Sequence, residues 1–371
     1  MDLFVYGTLK SHSLMAAVAG PGPLTPMPAR LHEYAVYPLA GNVVPFIAPT
    51  AGGRAQGLVW QGLNAAQMAR LDAYEGAFGY SFGPVEVQTD AGPRIAQAYL
   101  PHVDMATGVG EWSLADWEAG HLTPAVLAAQ ELFSLDPMPD YAQLRAMWPM
   151  IEARAWAKFR AVAAPATRRF SASADDFTVV NAEPPAGQFF RFQRTKVSHR
   201  QFDGTRSDLL TREGFLGVDA SVILPYDPVR DRVLLVEQAR LGPALRRDPN
   251  PWMLEPIAGI IDARESPRDA ALREAEEEAG LAIKSLEDAG AFYVSPGCST
   301  DYFYMFVGVC DLPHDAPYLG GLPDEAEDLR LHPMSFDEAM DLADQGEIAT
   351  GPALYLLYWL LRHRDRLRAA V

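Results

Sequence analysis

Two cysteines, Cys298 and Cys310, are all that 371 residues contain. So few, at that spacing, exclude a disulfide framework or a zinc site, and each is expected as a buried thiol without redox work. Long hydrophobic runs are missing as well: no stretch of eighteen apolar residues occurs, and the start MDLFVYGTLK carries an acid at position 2 and no basic segment. Neither a membrane span nor a signal peptide is therefore expected, and the chain is placed in the cytoplasm with no membrane partner. Positive charge is short too, with 31 Lys and Arg against 48 Asp and Glu and a net charge of -17. Without a basic surface, counterion release cannot drive binding, so a nucleic acid polymer is not an expected partner. Internal repeats and low-complexity tracts are lacking.

What is present fits two domains, the number expected at this length, with 49% apolar residues to give each a core. Residues 1–165 hold 9 basic and 14 acidic residues and residues 166–371 hold 22 and 34, so the acidic excess lies in the second part. The runs DLFVYGTL, AQGLVW, PVEVQTD and IAQAYL, broken by Gly and Pro, predict a small β-rich domain over 1–104 with one helix at NAAQMARLDAYEG. Residues 105–185 read as a helical connector and linker. There Thr123 caps a helix opened by Pro124, Ile151, Ala155, Phe159 and Val162 share one helical face, and AVAAPATRRFSASADD has no period. Over 186–371 the strands QFFRFQRTKVSHRQF, ASVILPYD, RVLLVEQAR, AFYVSP and YFYMFVGVC mix with helices without regular βαβ alternation. That predicts an α+β protein whose second domain is an α/β/α sandwich.

The stretch GIIDARESPRDAALREAEEEAG, residues 259–280, concentrates the acid. Ser266 is a helix cap, Pro267 suits the first turn, and Asp269 completes the start. At 100° per residue, Glu274, Glu277 and Glu278 fall within an arc of about 100°, beside an apolar arc of Ala271, Leu272, Ala275 and Ala279. Like charges at this spacing repel, and each raises the pKa of the others. Taken alone, a short glutamate-rich helix is a solvated charged face. Hard divalent cations, magnesium or manganese, prefer such oxygen ligands and offset the repulsion, while Arg273 can hold Glu277 one turn on.

The spacing decides between these readings. Gly259, Glu265, Arg273, Glu274, Ala275, Glu277, Glu278, Gly280 and Leu281 fit Gly-x5-Glu-x7-Arg-Glu-U-x-Glu-Glu-x-Gly-U, U being aliphatic, without a gap. This resembles the Nudix box. The likeness runs over roughly 190–371, through LPYDPVRDRVLLVEQAR, WMLEPIAGIIDARES, GLPDEAEDLRLHPMS and GEIATGPALYLLYWL, and points to the ADP-ribose pyrophosphatase branch, with Pro296 of VSPGCS fifteen residues past Leu281. The resemblance implies magnesium or manganese held by the Ala258 carbonyl, Glu274 and Glu278, with Glu277 adjacent and Glu327 completing the site. It implies Glu325 as general base on a mobile loop, Arg212 and Arg240 as substrate contacts and Pro296 as the position associated with ADP-ribose substrates, with weaker roles for the backbone at Ile260 and for Ser295, Gly297 and Asp301. Asp301 departs from the Glu common there. The implied reaction is hydrolysis of ADP-ribose to AMP and ribose 5-phosphate in a homodimer whose strands before the box exchange between subunits. Another nucleoside diphosphate sugar, a dinucleotide, or ADP-ribose binding without hydrolysis remain alternatives.

The first hundred residues resemble the γ-glutamylcyclotransferase fold, a small β-barrel, through FVYGTL and GLVWQGLNAAQMARLDAYEG. The resemblance implies a cavity loop at Tyr6, Gly7, Thr8 and Leu9 and a base at Glu75 that lets a substrate's α-amine attack its own γ-carbonyl. A scaffold role is the alternative, and Phe82 stands where many relatives carry a basic residue. The two-part layout resembles bacterial proteins labelled tellurite-resistance factors, although no residue here implies tellurium chemistry.

Overall fold

Alternating side chains explain the first of the two units into which the chain divides, Met1–Phe189 with Ser198–Ser207. The computed structural model describes residues 1–76, 80–101, 106–161, 166–312, 315–322 and 327–370. Strand β1 (Leu3–Val5) is followed by helix α1 (His12–Ala19), β2 (Thr25–Pro38), β3 (Pro45–Gln61), helix α2 (Ala65–Gly76), β4 (Tyr80–Thr89) and β5 (Gly92–Pro101). The strands close into a barrel in the order β1-β3-β2-β4-β5, and the seam is the parallel pairing of Leu3 with Gln97. Phe4 turns into the barrel among Leu31, Ile47, Val59 and Val87. Leu3 and Val5 turn out, against Leu14, Met15 and Val18 of α1 and Leu71 of α2.

Helices α3 (Leu114–Leu132) and α4 (Tyr141–Arg160) follow, then β6 (Phe177–Ala182). The helix expected to open at Pro124 begins ten residues earlier: Ser113 caps it by accepting from the Asp116 amide at 3.3 Å, and Pro124 lies inside. An interior proline costs about 3 kcal/mol or more, partly through a ring clash with the carbonyl of residue i-4. Here the buried stripe Trp117, Pro124, Ala128 and Leu132 continues across it, and packing prevails. In α4, Ile151 and Ala155 are buried as expected but Phe159 is exposed, and Val162 lies outside the described residues. A buried Arg154–Glu131 pair, 2.7 Å, ties α4 to α3.

The second unit, Phe190–Val197 with Asp208–Val371, holds most of β7 (Arg191–His199) and then β8 (Leu210–Leu216), β9 (Asp219–Asp227), β10 (Arg232–Ala239), helix α5 (Leu241–Arg246), β11 (Trp252–Glu255), β12 (Ile257–Ile260) and helix α6 (Pro267–Ala279). β13 (Ser285–Tyr293), β14 (Tyr302–Val309), β15 (Tyr318–Gly320), β16 (Leu329–Ser335), helix α7 (Phe336–Gln345) and helix α8 (Gly351–Arg368) complete it. The main sheet runs β13-β14-β9-β10-β16-β15, with β12 paired to β9 and β11 to β10. Val222, Leu224 and Tyr226 of β9 face α7 and α8, where Phe336, Leu356, Leu357 and Leu360 cover them. Ile223 faces the other way, with Leu234 and Val236, onto α6. Period-two strands between helices on both faces make an α/β/α sandwich in a mixed α+β chain. Among the described residues no helix is long and apolar enough to cross a membrane.

Candidate functional site

Helix α6 is seated on the sheet by its small residues. Ala270, Ala271 and Ala275 are fully buried, whereas Leu272, expected on the packed arc, is 40% exposed. The close approach of helix to sheet suits alanine, and the bulkier leucine falls at its margin. Ser266 caps the helix, accepting from the Asp269 amide at 3.2 Å, and Gly280 ends it in the left-handed conformation, φ 62°. The Ser221 hydroxyl of β9 donates to the Pro267 carbonyl, 2.5 Å, pinning the first turn over the strand that pairs with β12.

This seating turns two of the glutamates inward. Glu274 and Glu278, one turn apart, are 8% and 3% exposed, Glu277 is half-buried, and Glu276 points to solvent. The Glu274 carboxylate lies against Gly259 of β12, where a Cβ would stand 1.7 Å from its Oε1. Arg273 binds the cluster from one side. A single Nη donates to Glu274 at 2.6 Å and to Glu277 at 2.9 Å, while its other nitrogens reach Glu265 at 2.9 and 3.0 Å and the Ile260 carbonyl at 3.1 Å. The expected i,i+4 pair with Glu277 is present, and Arg273 reaches Glu274 as well, so it offsets part of the repulsion within the cluster. Glu265 also accepts from the Asp262 amide at 3.0 Å, closing the loop before α6.

The remaining charge is uncompensated. Burial, moderated by Arg273 and increased by Glu277 and Glu327, pushes the Glu274 carboxyl up to about 7. Burial first, then Glu327 and Glu274, pushes Glu278 up to about 9, against the opposing pull of the Ala258 backbone and Arg240. One oxygen of Glu278 is buried with no hydrogen-bond partner. Among the described residues no three acidic or imidazole side chains stand as a ready-made cage, since Glu277 faces Arg273 and Glu327 accepts from the Leu322 amide at 3.2 Å. Two buried carboxylates with an idle oxygen on Glu278, and the Glu327 carboxylate near enough to raise both, fit a hard divalent cation.

The other expected residues lie elsewhere in the second unit, and of them Arg240 acts electrostatically on Glu278. Arg240, at the start of α5, donates to Glu255 at 2.6 Å. Arg212 on β8 is exposed and bonds the Thr211 carbonyl. Ser295, Pro296 and Gly297 form an exposed turn in which Ser295 meets Cys298 at 3.2 Å, so Cys298, expected as a buried thiol, is exposed, while Cys310 is buried. Asp301 accepts from Ser299 at 2.5 Å and lies against the backbone of Gly217, a local structural engagement. Glu325 lies outside the described residues. Sequence reasoning missed the part of Glu265 beyond its motif position, and the contact of Gly320 and Gly321 with Glu278 described below, because both depend on residues far apart in the chain.

In the first unit, Glu75 closes α2 and burial pushes its carboxyl up to about 7. Its charge in turn helps raise Tyr6, Tyr74, Tyr80 and Tyr99, each of them raised chiefly by burial, Tyr80 to about 12. The charge of one carboxylate is thus felt by four phenols. Tyr99 donates to Asp72, one turn before Glu75, and packs at a tilt against exposed Phe82 with ring centres 4.8 Å apart. Gly7 precedes a single tight turn, Thr8–Lys10, whose Leu9 is buried in the core and accepts from the Trp60 ring at 3.0 Å.

Comparison with known proteins matches residues 3–119 to the family described as gamma-glutamyl cyclotransferase, AIG2-like, and residues 216–354 to the NUDIX domain. An ADP-ribose pyrophosphatase of Escherichia coli is 37% identical over 194 residues, 52% of this chain and 92% of that protein. One from Haemophilus influenzae is 36% identical over 51% of this chain and 87% of its own. A GDP-mannose pyrophosphatase of Enterobacter is 30% identical over 40% of this chain and 76% of its own. With the acidic helix, its glycine cradle and these relatives together, the chain belongs to the Nudix hydrolases, its Nudix domain preceded by a γ-glutamyl cyclotransferase-like domain of the AIG2 type.

Proposed function

We propose that the Nudix domain hydrolyses the diphosphate of ADP-ribose to AMP and ribose 5-phosphate with magnesium, or manganese, as the metal. The observation that carries this is the pair of buried carboxylates one helical turn apart, Glu274 paired with Arg273 and Glu278 with an idle oxygen. The Ala258 carbonyl, Glu274 and Glu278 would hold the metal, with Glu277 adjacent and Glu327 joining from the loop. A bound divalent ion supplies neutralisation of diphosphate charge and acidifies a water. Glu325 takes the proton of the attacking water, and the burial of the acidic cluster keeps competing solvent away. Arg240 meets a phosphate oxygen by exchanging or sharing its bond to Glu255, and Arg212, exposed on β8, reaches the nucleotide through its fork of donors.

The ADP-ribose reading is favoured over GDP-mannose by the relatives: the ADP-ribose pyrophosphatases match over a longer stretch and at higher identity. Exposed Phe192 and Phe215 on the β7–β8 ribbon, with exposed Leu209 just before β8, support a homodimer through this domain. In the first unit, Glu75 among its phenols is the base of a γ-glutamyl cyclisation. Incubation with ADP-ribose, GDP-mannose and magnesium, alongside Glu278→Gln, tests the main reading. AMP release by the wild type, lost in the variant, is expected. Faster cleavage of GDP-mannose replaces the substrate, and binding without release replaces hydrolysis by sensing.

A further inference from the structure

The loop expected to carry Glu325 leaves β15 through two glycines whose surroundings no family motif explains. Gly320 pairs with Leu329 of β16 and lies on the last turn of α6. A Cβ there would stand 2.2 Å from the Glu278 carbonyl oxygen and 2.4 Å from Leu331 Cδ1. The leucine tip can move, but a helix carbonyl cannot without moving Glu278 itself. Gly321, at φ +89°, donates its amide to that same carbonyl at 3.0 Å. The last four carbonyls of a helix have no partner within it, and this bond satisfies one of them. One residue on, the Leu322 amide donates to the Glu327 carboxylate at 3.2 Å and the Glu327 amide returns to the Leu322 carbonyl at 3.3 Å. The chain thus runs from the backbone of Glu278 to the side chain of Glu327 through three residues with fixed contacts.

We propose that Gly320 and Gly321 are positioning residues for the Nudix reaction, holding the loop carboxylate of Glu327 at a set spacing from the helical carboxylate of Glu278. This rests on the reading of the acidic cluster as a metal site. A fold seeking stability alone gains nothing by fastening a third carboxylate beside two buried ones, since each disfavours the others' charge. The same fastening is useful where a cation must meet ligands from a helix and a loop at once, and a displacement of about 1 Å at such a site costs about 100-fold in rate.

The test compares Gly320→Ala with Gly346→Ala in the full-length protein. Gly346, φ +82°, ends α7 with nothing within 4 Å of an added Cβ, so its substitution strains the backbone of the same unit without touching the site. Magnesium titration by calorimetry, melting temperature, and kcat and KM are measured for both. Gly320→Ala is expected to weaken magnesium binding about tenfold and kcat about 100-fold with KM little changed. Gly346→Ala is expected to lose melting temperature with magnesium affinity and kcat intact. Wild-type binding by Gly320→Ala, or an equal affinity loss in Gly346→Ala, overturns the proposal. If Gly320→Ala does not fold, hydrogen exchange of the wild-type Gly321 amide decides, and exchange at the rate of an open loop overturns it. A wild type that binds no magnesium overturns the metal reading, and this inference with it.

Discussion

The Glu274 carboxylate rests on the α-carbon of Gly259, so close that a methyl group there would overlap its Oε1. The first glycine of the motif is therefore a steric requirement of its acidic helix. Gly259→Ala must push Glu274 off β12 or push β12 off its pairing with Ser221. We expect diphosphate hydrolysis to fall about 100-fold or more and magnesium affinity to fall with it, at a stability cost of about 1–3 kcal/mol. Calorimetric magnesium titration of the folded variant checks this, and unaltered binding would contradict it.

Arg273 makes five bonds to four partners, Glu265, Glu274, Glu277 and the Ile260 carbonyl. Arg273→Lys keeps the charge but not the fork, so it cannot hold the loop through Glu265 and the helix through Glu274 together. A loss of about 2 kcal/mol is expected, read by denaturant unfolding, with Arg273→Ala losing more. A lysine variant as stable as the wild type would show that charge alone holds the cluster.

How much of this was open to sequence reasoning follows from what each contact depends on. Local signals read well: Ser266 with Asp269 at the start of α6, and Arg273 with Glu277, are each pairs within about one turn. Contacts set by the fold did not. Pro124 carries the signature of a helix start yet sits mid-helix because a buried stripe runs through it. The return of Gly320 onto Glu278 requires β15 to pair with β16 first, and no spacing in the sequence announces that.

The acidic cluster makes the metal-free protein sensitive to alkali. Glu278 holds its proton up to about 9 in the folded chain, against 4.5 for an ordinary glutamate, so the folded state binds that proton more tightly than the unfolded one. The stability this contributes is complete below about 4.5 and is lost as pH rises through about 9. Glu274 behaves likewise up to about 7. Between pH 5 and 9 the Nudix transition should fall by at least about 1 kcal/mol more in the wild type than in Glu278→Gln. Magnesium should reverse the fall, more at pH 8 than at pH 6, because the metal competes with those protons. Scanning calorimetry in chelator and in magnesium provides the comparison, and parallel profiles for the two proteins would refute it.

Glu75 is the corresponding test for the first unit. A carboxylate pushed up to about 7 by burial among phenols is matched to taking a proton from an amine near neutrality. If it is the base of a γ-glutamyl cyclisation, 5-oxoproline release rises with pH through about 7 as the carboxylate forms, and Glu75→Gln lowers it by about 100-fold or more without that limb. A merely structural Glu75 predicts something different. Removing a buried acid whose charge is disfavoured should then raise stability at pH 8 and leave any release unchanged. Phe82→Arg adds a second axis, because it places a cation beside Tyr99 at the position where sequence reasoning anticipated one. Improved KM for substrates bearing a free carboxylate, with Glu75 still required, would show that the aromatic pair Phe82 and Tyr99 sets which γ-glutamyl compound this domain accepts. Release that is unaffected by Glu75→Gln would leave the domain as a scaffold.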